Sequence, residues 1–372
     1  MRVLHLADLH LGWQPEFLHD KKEERARERD NLLTRAANFA LDAKNEICAV
    51  IIAGDLFETH RPPKALVESV LGQLQRLDRA GIFLLTVPGN HDEITYHDSV
   101  YRSEGHRWPG VLADNPLPQE IARLELAGRT TAFYGLAYTG GVTRTSPPLA
   151  DFPKGEAHRH IGILHGSLNW DAGDRSLPIA SDAVSRSGYD CLALGHIHGH
   201  SVRHLGKTVA CYAGATEAKG FNDPGCGVFT ILNLNDGVRV ETADAACRPC
   251  LTYDLELSEF DTLQEVAEAV KSWADPEAIV RVALKGQANF QADADALQED
   301  YAHLFYHLQV ESAGIYLDDS IIAGLSAEPT IRGYFVKKMK ARLEAAKNEE
   351  EKEVLRRALF RGVAALQGGV KP

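Results

Sequence analysis

Five apolar runs in the first 200 residues each end in a short polar segment that carries Asp, Asn or His. Each run has the length of a buried strand, and a glycine adjoins most of the polar segments. The segments are Asp8-Leu9-His10, Gly54-Asp55, Gly89-Asn90-His91-Asp92, His165-Gly166 and Gly195-His196-Ile197-His198. Open α/β sheets hold their chemically active side chains at the carboxyl ends of strands. The pattern therefore predicts a fold that brings five strand ends to one edge.

The order of elements in the first hundred residues predicts a largely parallel sheet. We expect strands at residues 2–6, 49–53 and 82–87, and apolar residues at helical spacing predict helices between them. This alternation favours parallel pairing, because each helix returns the chain to the same end of the sheet.

Further strand signals predict a second sheet. Residues 131–134, 161–164 and 190–194 are strand-like, and residues 208–212, 227–234 and 238–242 are expected to close that sheet. Residues 139–156 hold several Gly and Pro residues and are expected to form an exposed loop. The predicted fold class is α/β, a β-sandwich flanked by helices.

The composition changes near Cys247, where we place a domain boundary. Residues 251–310 read as a compact β-α-β-α-β unit, and two amphipathic helices follow it, to pack on the body or on a partner. The expected domains are residues 1–246, a capping domain at 247–314 and a helical segment at 315–372. Cys247 and Cys250 form a lone CxxC, which we interpret as two incidental thiols because a zinc site needs a second ligand pair.

Composition and charge exclude some classes of protein. The longest apolar runs are strand-sized, so no segment is expected to cross a membrane. The first residues have no signal-peptide pattern, and we expect a cytoplasmic protein. The net charge of −12 counts against a broad basic face for nucleic acid, although bound divalent metals can make one cleft positive. The mixed-charge run at 21–30 is interpreted as a solvated helix or loop rather than a DNA-contacting surface.

The polar segments together offer the donors of a metal centre. All are carboxylate or amide oxygens or imidazole nitrogens, a set that suits manganese, iron or zinc. Asp55 lies in the loop after the central predicted strand and is the natural bridge between two ions. Two such ions would activate a water molecule and neutralise the charge that develops on a phosphorus centre. The candidate ligands are Asp8, His10, Asp55, Asn90, His165, His196 and His198.

His91 and Asp92 are the candidate catalytic pair. His91 adjoins the ligand Asn90 and is expected to protonate the leaving oxygen or to stabilise the transition state. Asp92 is expected to hold the His91 ring in one tautomer.

The full set of segments resembles the signature of calcineurin-like metallophosphoesterases. The opening 5–12, the string Gly54-Asp55-Leu56-Phe57-Glu58-Thr59 and the turn Tyr212-Ala213-Gly214-Ala215-Thr216-Glu217 also resemble SbcD-type DNA repair nucleases. The small cap and the helical end are likewise similar to that family. Glu58 stands where family members usually carry a His or Asp, so the polarity of cleavage stays open.

The resemblance implies two ions, with manganese as the working metal. It implies that Asp8, His10, Asp55 and His198 hold one ion, and that Asp55, Asn90, His165 and His196 hold the other. It also implies that His91 is catalytic, that the chain forms a homodimer, and that an SbcC-type coiled-coil ATPase binds the C-terminal helices. The expected function is a metal-dependent DNA exonuclease that also cuts near ends or hairpins.

Two alternatives remain open. The same metal core would serve a phosphatase or a cyclic-nucleotide phosphodiesterase, although such enzymes need no cap. A non-catalytic scaffold for DNA ends or an ATPase is the third reading, against which the complete ligand set argues.

Overall fold

The computed structural model describes residues 1–126, 128–140, 154–169, 176–223, 226–288, 290, 292–317 and 319–367. The chain divides into two compact units, Met1–Cys247 and Arg248–Pro372. The three-part division stays a prediction, because the expected capping domain and helical segment fall together in the second unit. Most of the loop predicted at 139–156 lies outside the described residues.

The first sheet contains the predicted parallel strands. Its strands are β1 (Arg2–Leu6), β2 (Ile47–Ala53), β3 (Phe83–Val87), β4 (Val111–Leu112), β12 (Val228–Asn233) and β13 (Arg239–Asp244). They are arranged in the order β13-β12-β1-β2-β3-β4, and β1 to β4 pair in parallel. Residues 47–53 are almost wholly buried and rich in Ile and Val, as expected of a strand covered on both faces.

The placement of β12 and β13 differs from the sequence prediction. We expected these strands to close the second sheet, but β12 pairs antiparallel with β1, with Arg2 opposite Asn233. The expectation was wrong because an apolar run identifies a strand without identifying its partner. Here the partner lies more than 200 residues earlier in the chain.

The second sheet has the order β10-β11-β9-β7-β6-β5, with β8 paired to β7. Its strands are β5 (Gln119–Leu126), β6 (Arg129–Gly135), β7 (Arg159–Leu168), β8 (Leu177–Ile179), β9 (Cys191–Gly195), β10 (Ser201–Leu205) and β11 (Thr208–Tyr212). Strand β10 was missed from the sequence, because its central residues are exposed and form no apolar run.

The two sheets pack face to face, and helices cover the first sheet on its other side. Buried residues such as Val3 and Ile51 of the first sheet share a core with Phe133 and Ile163 of the second. The described helices of this unit are α1 (Lys22–Asp30), α2 (Leu32–Leu41), α3 (Lys64–Arg79), α4 (Val100–Ser103) and α5 (Ser181–Ser187). The last of these packs on the second sheet, where its Val184 shares a core with Leu192 and Ala210. The predicted α/β sandwich flanked by helices is confirmed.

Helix α1 is not the solvated segment that its charges suggested. Arg25 and Arg29 are buried, at 2% and 0% exposure. Arg25 Nη1 donates to the Glu217 carboxylate, and Arg29 Nη1 donates to the Leu9 carbonyl oxygen at 2.9 Å. Arg29 Nη2 also donates to the carbonyl oxygens of Glu217 and Ala218, at 3.0 and 2.9 Å. The prediction was wrong at these positions because most of the acceptors belong to Glu217 and Ala218, which lie about 190 residues away.

The second unit holds the predicted β-α-β-α-β order, followed by helices. Strands β14 (Cys250–Glu256), β15 (Asp275–Ala288) and β16 (Phe305–Leu317) pair in parallel, with α6 (Leu263–Ser272) and α7 (Ala294–Tyr301) between them. Three helices end the described chain: α8 (Asp319–Ser326), α9 (Ile331–Ala345) and α10 (Glu349–Gln367). No described helix in either unit is both long enough and apolar enough to span a membrane.

Candidate metal centre

The seven candidate ligands meet at the carboxyl ends of five strands. Because β1, β2 and β3 are parallel neighbours in one sheet, the segments that follow them leave at a common edge. Strands β7 and β9 are parallel neighbours in the facing sheet and deliver the histidines to the same place. The ligands follow these strands in order: Asp8 and His10 after β1, Asp55 after β2, Asn90 after β3, His165 within β7, and His196 and His198 after β9.

One group of donors consists of Asp8, His10 and His198, whose ligand atoms lie within 4.8 Å of one another. The Nε2 atoms of His10 and His198 face each other at 3.1 Å. Two imidazole nitrogens that converge in this way, next to a buried carboxylate, fit a shared divalent cation.

A second group surrounds Asn90. Its Oδ1 lies 2.9 Å from His165 Nε2 and 2.9 Å from His196 Nδ1. Asp55 connects the two groups, because its Oδ2 lies 3.3 Å from His165 Nε2 and 3.8 Å from His10 Nε2. The carboxylate therefore stands where a ligand shared by two ions would be needed.

Several candidate ligands have strained backbone conformations, which turn their side chains toward the common centre. Asp8, His10, Asp55 and His196 have positive φ angles of 54°, 49°, 50° and 97°. Such angles are uncommon outside glycine and concentrate at functional sites. Gly89 allows a close approach, since a Cβ there would lie 2.2 Å from Asp55 Oδ1.

Backbone amides hold the two central carboxylates in position. The amide N–H of His196 donates to both oxygens of Asp8, each at 3.0 Å. The amide N–H of His91 donates to Asp55 Oδ1 at 2.9 Å, which leaves Oδ2 toward the histidines. Each of these loops thus fixes a candidate ligand that another loop supplies.

The histidines that present Nε2 to the centre are oriented through Nδ1. His10 Nδ1 lies 2.8 Å from Glu58 Oε2, His198 Nδ1 lies 3.0 Å from Asp223 Oδ2, and His165 Nδ1 lies 2.9 Å from the Ala53 carbonyl oxygen. Such partners fix the tautomer and the ring orientation of metal-binding histidines.

Two of these partners, Glu58 and Asp223, were not assigned this role from the sequence. Lys219 joins them, because Nζ lies 2.8 Å from Glu58 Oε2 and the amide N–H donates to Asp223 Oδ2 at 2.9 Å. Glu58 lies within the segment 54–59 that resembles SbcD-type nucleases, and this resemblance is a sequence signal for its importance. Asp223 follows no apolar strand run, so no sequence signal pointed to it.

The electrostatics of the site suit cations. Burial raises the pKa of Asp8 to about 6. Burial would lower the pKa of His165, but the Asp55 carboxylate outweighs it and raises that pKa to about 10. Burial would raise the pKa of Glu58, yet its hydrogen bonds with His10 and Lys219 lower it to about 2. Buried carboxylates and imidazoles so close together are the donor set that two divalent ions would occupy.

His91 stands at the open side of the centre. Its side chain is 39% exposed, and its ring lies edge-on to the His10 ring with 4.7 Å between centroids. His91 Nδ1 lies 3.1 Å from the carbonyl oxygen of Glu58. The backbone of Glu58 is thus a partner of the His91 ring.

Asp92 does not take the role expected from the sequence. Its carboxylate is buried and accepts from the N–H of Gly89 at 2.7 Å, the N–H of Phe57 at 3.1 Å and the hydroxyl of Tyr101 at 2.7 Å. Asp92 therefore joins the loops after β2 and β3, and the expectation that it orients the His91 ring is corrected. The direction of a side chain after a tight turn was not readable from the sequence.

A family model described as calcineurin-like phosphoesterase matches residues 1–200, which contain all seven candidate ligands. The chain belongs to the calcineurin-like phosphoesterase family. This family uses a dinuclear divalent metal centre, and the donor groups described above fit such a centre. Family membership and these donor groups together support metal-dependent phosphoester hydrolysis as the chemistry of the site.

Curated relatives support this membership and the SbcD-type resemblance. A Haloferax volcanii protein named DNA double-strand break repair protein Mre11 is 26% identical over 289 residues, covering 77% of this chain and 62% of that protein. An Aeropyrum pernix protein of the same name is 23% identical over 326 residues, covering 84% and 73%. The Bacillus subtilis protein named uncharacterized metallophosphoesterase YhaO is 27% identical over 250 residues, covering 64% and 58%. The chain thus spans about three fifths of the lengths of the Haloferax and Bacillus proteins.

Proposed function

We propose that this chain is a metal-dependent DNA phosphodiesterase, acting as an exonuclease and also near DNA ends or hairpins, in double-strand break repair. The observation that carries the proposal is Asp55 Oδ2 between His10 and His165, with the exposed His91 beside them. The Haloferax and Aeropyrum relatives are named as DNA double-strand break repair proteins, which supports DNA as the substrate.

The proposed ligands divide into two sets that share Asp55. Asp8, His10, Asp55 and His198 would hold one ion, and Asp55, Asn90, His165 and His196 the other. When bound, the two ions supply Lewis-acid chemistry that activates water and offsets the negative charge developing on phosphorus. Manganese is the proposed ion, since every donor is an oxygen or an imidazole nitrogen and the SbcD-type resemblance implies it.

His91 is the proposed proton donor to the leaving oxygen. Its Nδ1 faces the Glu58 carbonyl oxygen at 3.1 Å, so a hydrogen on Nδ1 would be held there. The opposite ring atom, Nε2, then points away from this carbonyl and, when both ring nitrogens carry a hydrogen, is the atom that would deliver a proton to the leaving oxygen. The exposure of the ring leaves room for a substrate to approach.

The test uses purified full-length protein with manganese and end-labelled linear duplex or single-stranded DNA. His91→Ala should keep both ions and lose turnover by about 10²- to 10⁴-fold, because it removes a proton donor without removing a ligand. Asp55→Ala should lose bound manganese, because it removes the shared ligand. His97→Ala, at a side chain that is 96% exposed, is the matched control and should change neither.

The outcomes separate the alternatives. Short products from the wild type but not from His91→Ala would support the nuclease and reveal its polarity. Turnover of small phosphate esters without DNA cleavage would favour a phosphatase or cyclic-nucleotide phosphodiesterase. Absence of bound metal by elemental analysis would favour a scaffold. Equal metal loss in His91→Ala and Asp55→Ala would contradict the assigned roles.

We also propose a homodimer and an SbcC-type ATPase partner that binds the C-terminal helices. The supporting observation is the exposed apolar side chains there: Ile331 and Tyr334 on α9 are 79% and 64% exposed, and Val354 on α10 is 63% exposed. Light scattering measures the dimer, and co-purification of the ATPase with an Ile331→Asp variant tests the surface.

A further inference from the structure

Two aromatic rings form a stacked pair on the loops that follow β2 and β3. The rings of His60 and Tyr96 lie 4.0 Å apart between centroids, with an interplanar angle of 23°. Tyr96 is nevertheless 47% exposed, and the side chain of His60 is 32% exposed. The stack therefore presents a pre-ordered aromatic surface to solvent, which none of the roles assigned above uses.

The pair is held by the two loops that carry the central ligands. The loop after β2 supplies His60, and the loop after β3 supplies Tyr96. Asp92 Oδ2 joins the loops by accepting from the N–H of Phe57 at 3.1 Å. Further out, the N–H of Val100 donates to the carbonyl oxygen of His60 at 2.8 Å. The stack thus lies on loops that are fastened to each other on both sides of it.

The same contacts place the stack close to His91. His91 Nδ1 lies 3.1 Å from the Glu58 carbonyl oxygen. His60 follows two residues later, so its Cα lies within about 7 Å of the Glu58 Cα even if the chain is fully extended. A nucleotide with its phosphate at the metal centre could therefore bring its own base, or that of its neighbour, onto the stack.

The charges around the stack favour a neutral ring rather than a phosphate. Asp98 lies against it, with Oδ1 3.6 Å from His60 Nε2 and Oδ2 3.3 Å from Arg61 Nη1. The carboxylate offsets the adjacent cation and would repel a phosphate group. Nucleobases stack on aromatic faces without requiring positive charge, and they do so best when they are unpaired.

We infer that His60 and Tyr96 form a base-stacking subsite that receives an unpaired nucleobase next to the scissile phosphate. The inference rests on the proposed action on nucleic acid and deepens it by naming a single-stranded end as the preferred substrate. It also suits a chain with a net charge of −12, because stacking supplies affinity where a basic surface does not.

The test measures binding of single-stranded oligonucleotides to full-length His91→Ala protein in manganese, by fluorescence anisotropy. Phosphorothioate linkages keep the oligonucleotide intact. Tyr96→Ala in this background should raise the Kd about 5- to 10-fold. This is near the lower end of the affinity change expected when one base loses its stacking contact with an aromatic side chain. Tyr96→Phe should restore binding, since it keeps the ring. His97→Ala is the matched control on the same loop and should leave the Kd unchanged.

An abasic residue at the end of the oligonucleotide tells base stacking from general loop damage. The His91→Ala protein should bind the abasic oligonucleotide as weakly as the His91→Ala/Tyr96→Ala protein binds the intact one. Adding Tyr96→Ala should not weaken binding of the abasic oligonucleotide any further. The inference is overturned if Tyr96→Ala and its parent bind the intact oligonucleotide equally. It is also overturned if Tyr96→Ala weakens intact and abasic oligonucleotides by the same factor.

The proposed function and the subsite can fail separately. If the wild type cuts DNA and Tyr96→Ala changes neither Kd nor KM, the function stands and the subsite is refuted. If the wild type cuts no DNA while binding still depends on Tyr96 and on the terminal base, the subsite stands and the nuclease assignment fails.

Discussion

Arg29→Ala is the substitution that most directly tests how the candidate metal centre is held. The Arg29 side chain is wholly buried and donates to the carbonyl oxygen of Leu9, which lies between the candidate ligands Asp8 and His10. The same guanidinium donates to the carbonyl oxygens of Glu217 and Ala218. One side chain thus joins the first ligand loop to the segment that follows β11.

The expected loss of stability is large because the carbonyl oxygens of Leu9, Glu217 and Ala218 lose a buried charged donor. The Glu217 carboxylate keeps Arg25 but loses its second arginine. Arg29 Nε lies 3.9 Å from Glu217 Oε2, and both side chains are fully buried. Removing one member of a buried ion pair costs about 3–5 kcal/mol. For a unit of this size, such a loss corresponds to a fall in Tm of about 6–20 °C.

The assay is thermal unfolding of the full-length chain, followed by circular dichroism. Arg27→Ala on the same helix is the matched control, because Arg27 is exposed, and it should change the free energy of unfolding by no more than about 0.5 kcal/mol. Manganese titration provides a second readout, since the position of the Leu9 carbonyl bears on both adjacent ligands. If Arg29→Ala lowers the Tm no more than Arg27→Ala does, the buried network does not stabilise the loops as argued.

Two further predictions concern pH and metal affinity. Burial lowers the pKa of His5 from 6.5 to about 3, so folding keeps the ring neutral and stability falls as the pH drops from 6.5 toward 3. In urea unfolding, His5→Leu should reduce the slope of the free energy of unfolding against pH by up to about 1.4 kcal/mol per pH unit. The control His97→Ala should leave this slope unchanged. An unaltered slope in His5→Leu would contradict the prediction. Asp223→Asn should weaken manganese binding about 10- to 100-fold by calorimetry, because His198 loses its carboxylate partner. The exposed Asp182→Asn is the control, and equal Kd values for the two variants would exclude this role for Asp223.

The positions of the candidate ligands were predictable because they depend on local sequence and on one rule of sheet geometry. A buried apolar run ends at Ala53, and Asp55 follows it after a single glycine. Asn90 follows β3 in the same way. Because the strands pair in parallel, their carboxyl ends reach the same edge. No knowledge of side-chain packing was needed to bring these residues together.

The partners of those ligands were not predictable in the same way. Asp92 follows His91 in sequence, yet its carboxylate turns toward Phe57 and Tyr101. Asp223 reaches His198 from a segment without any strand signal. The direction of such side chains depends on which donors lie nearby after folding, and those donors come from other loops.

The sequence by itself determined the parallel order of the first strands, the family and the set of candidate ligands, since each follows from short segments read in order. The tertiary structure alone decided that Arg25 and Arg29 are buried on Glu217 rather than solvated. It also decided that β12 joins the first sheet beside β1. The physical reason is the same in both cases. A charged helix or an apolar strand is compatible with several partners, and only contacts between residues about 190 or more positions apart select one of them.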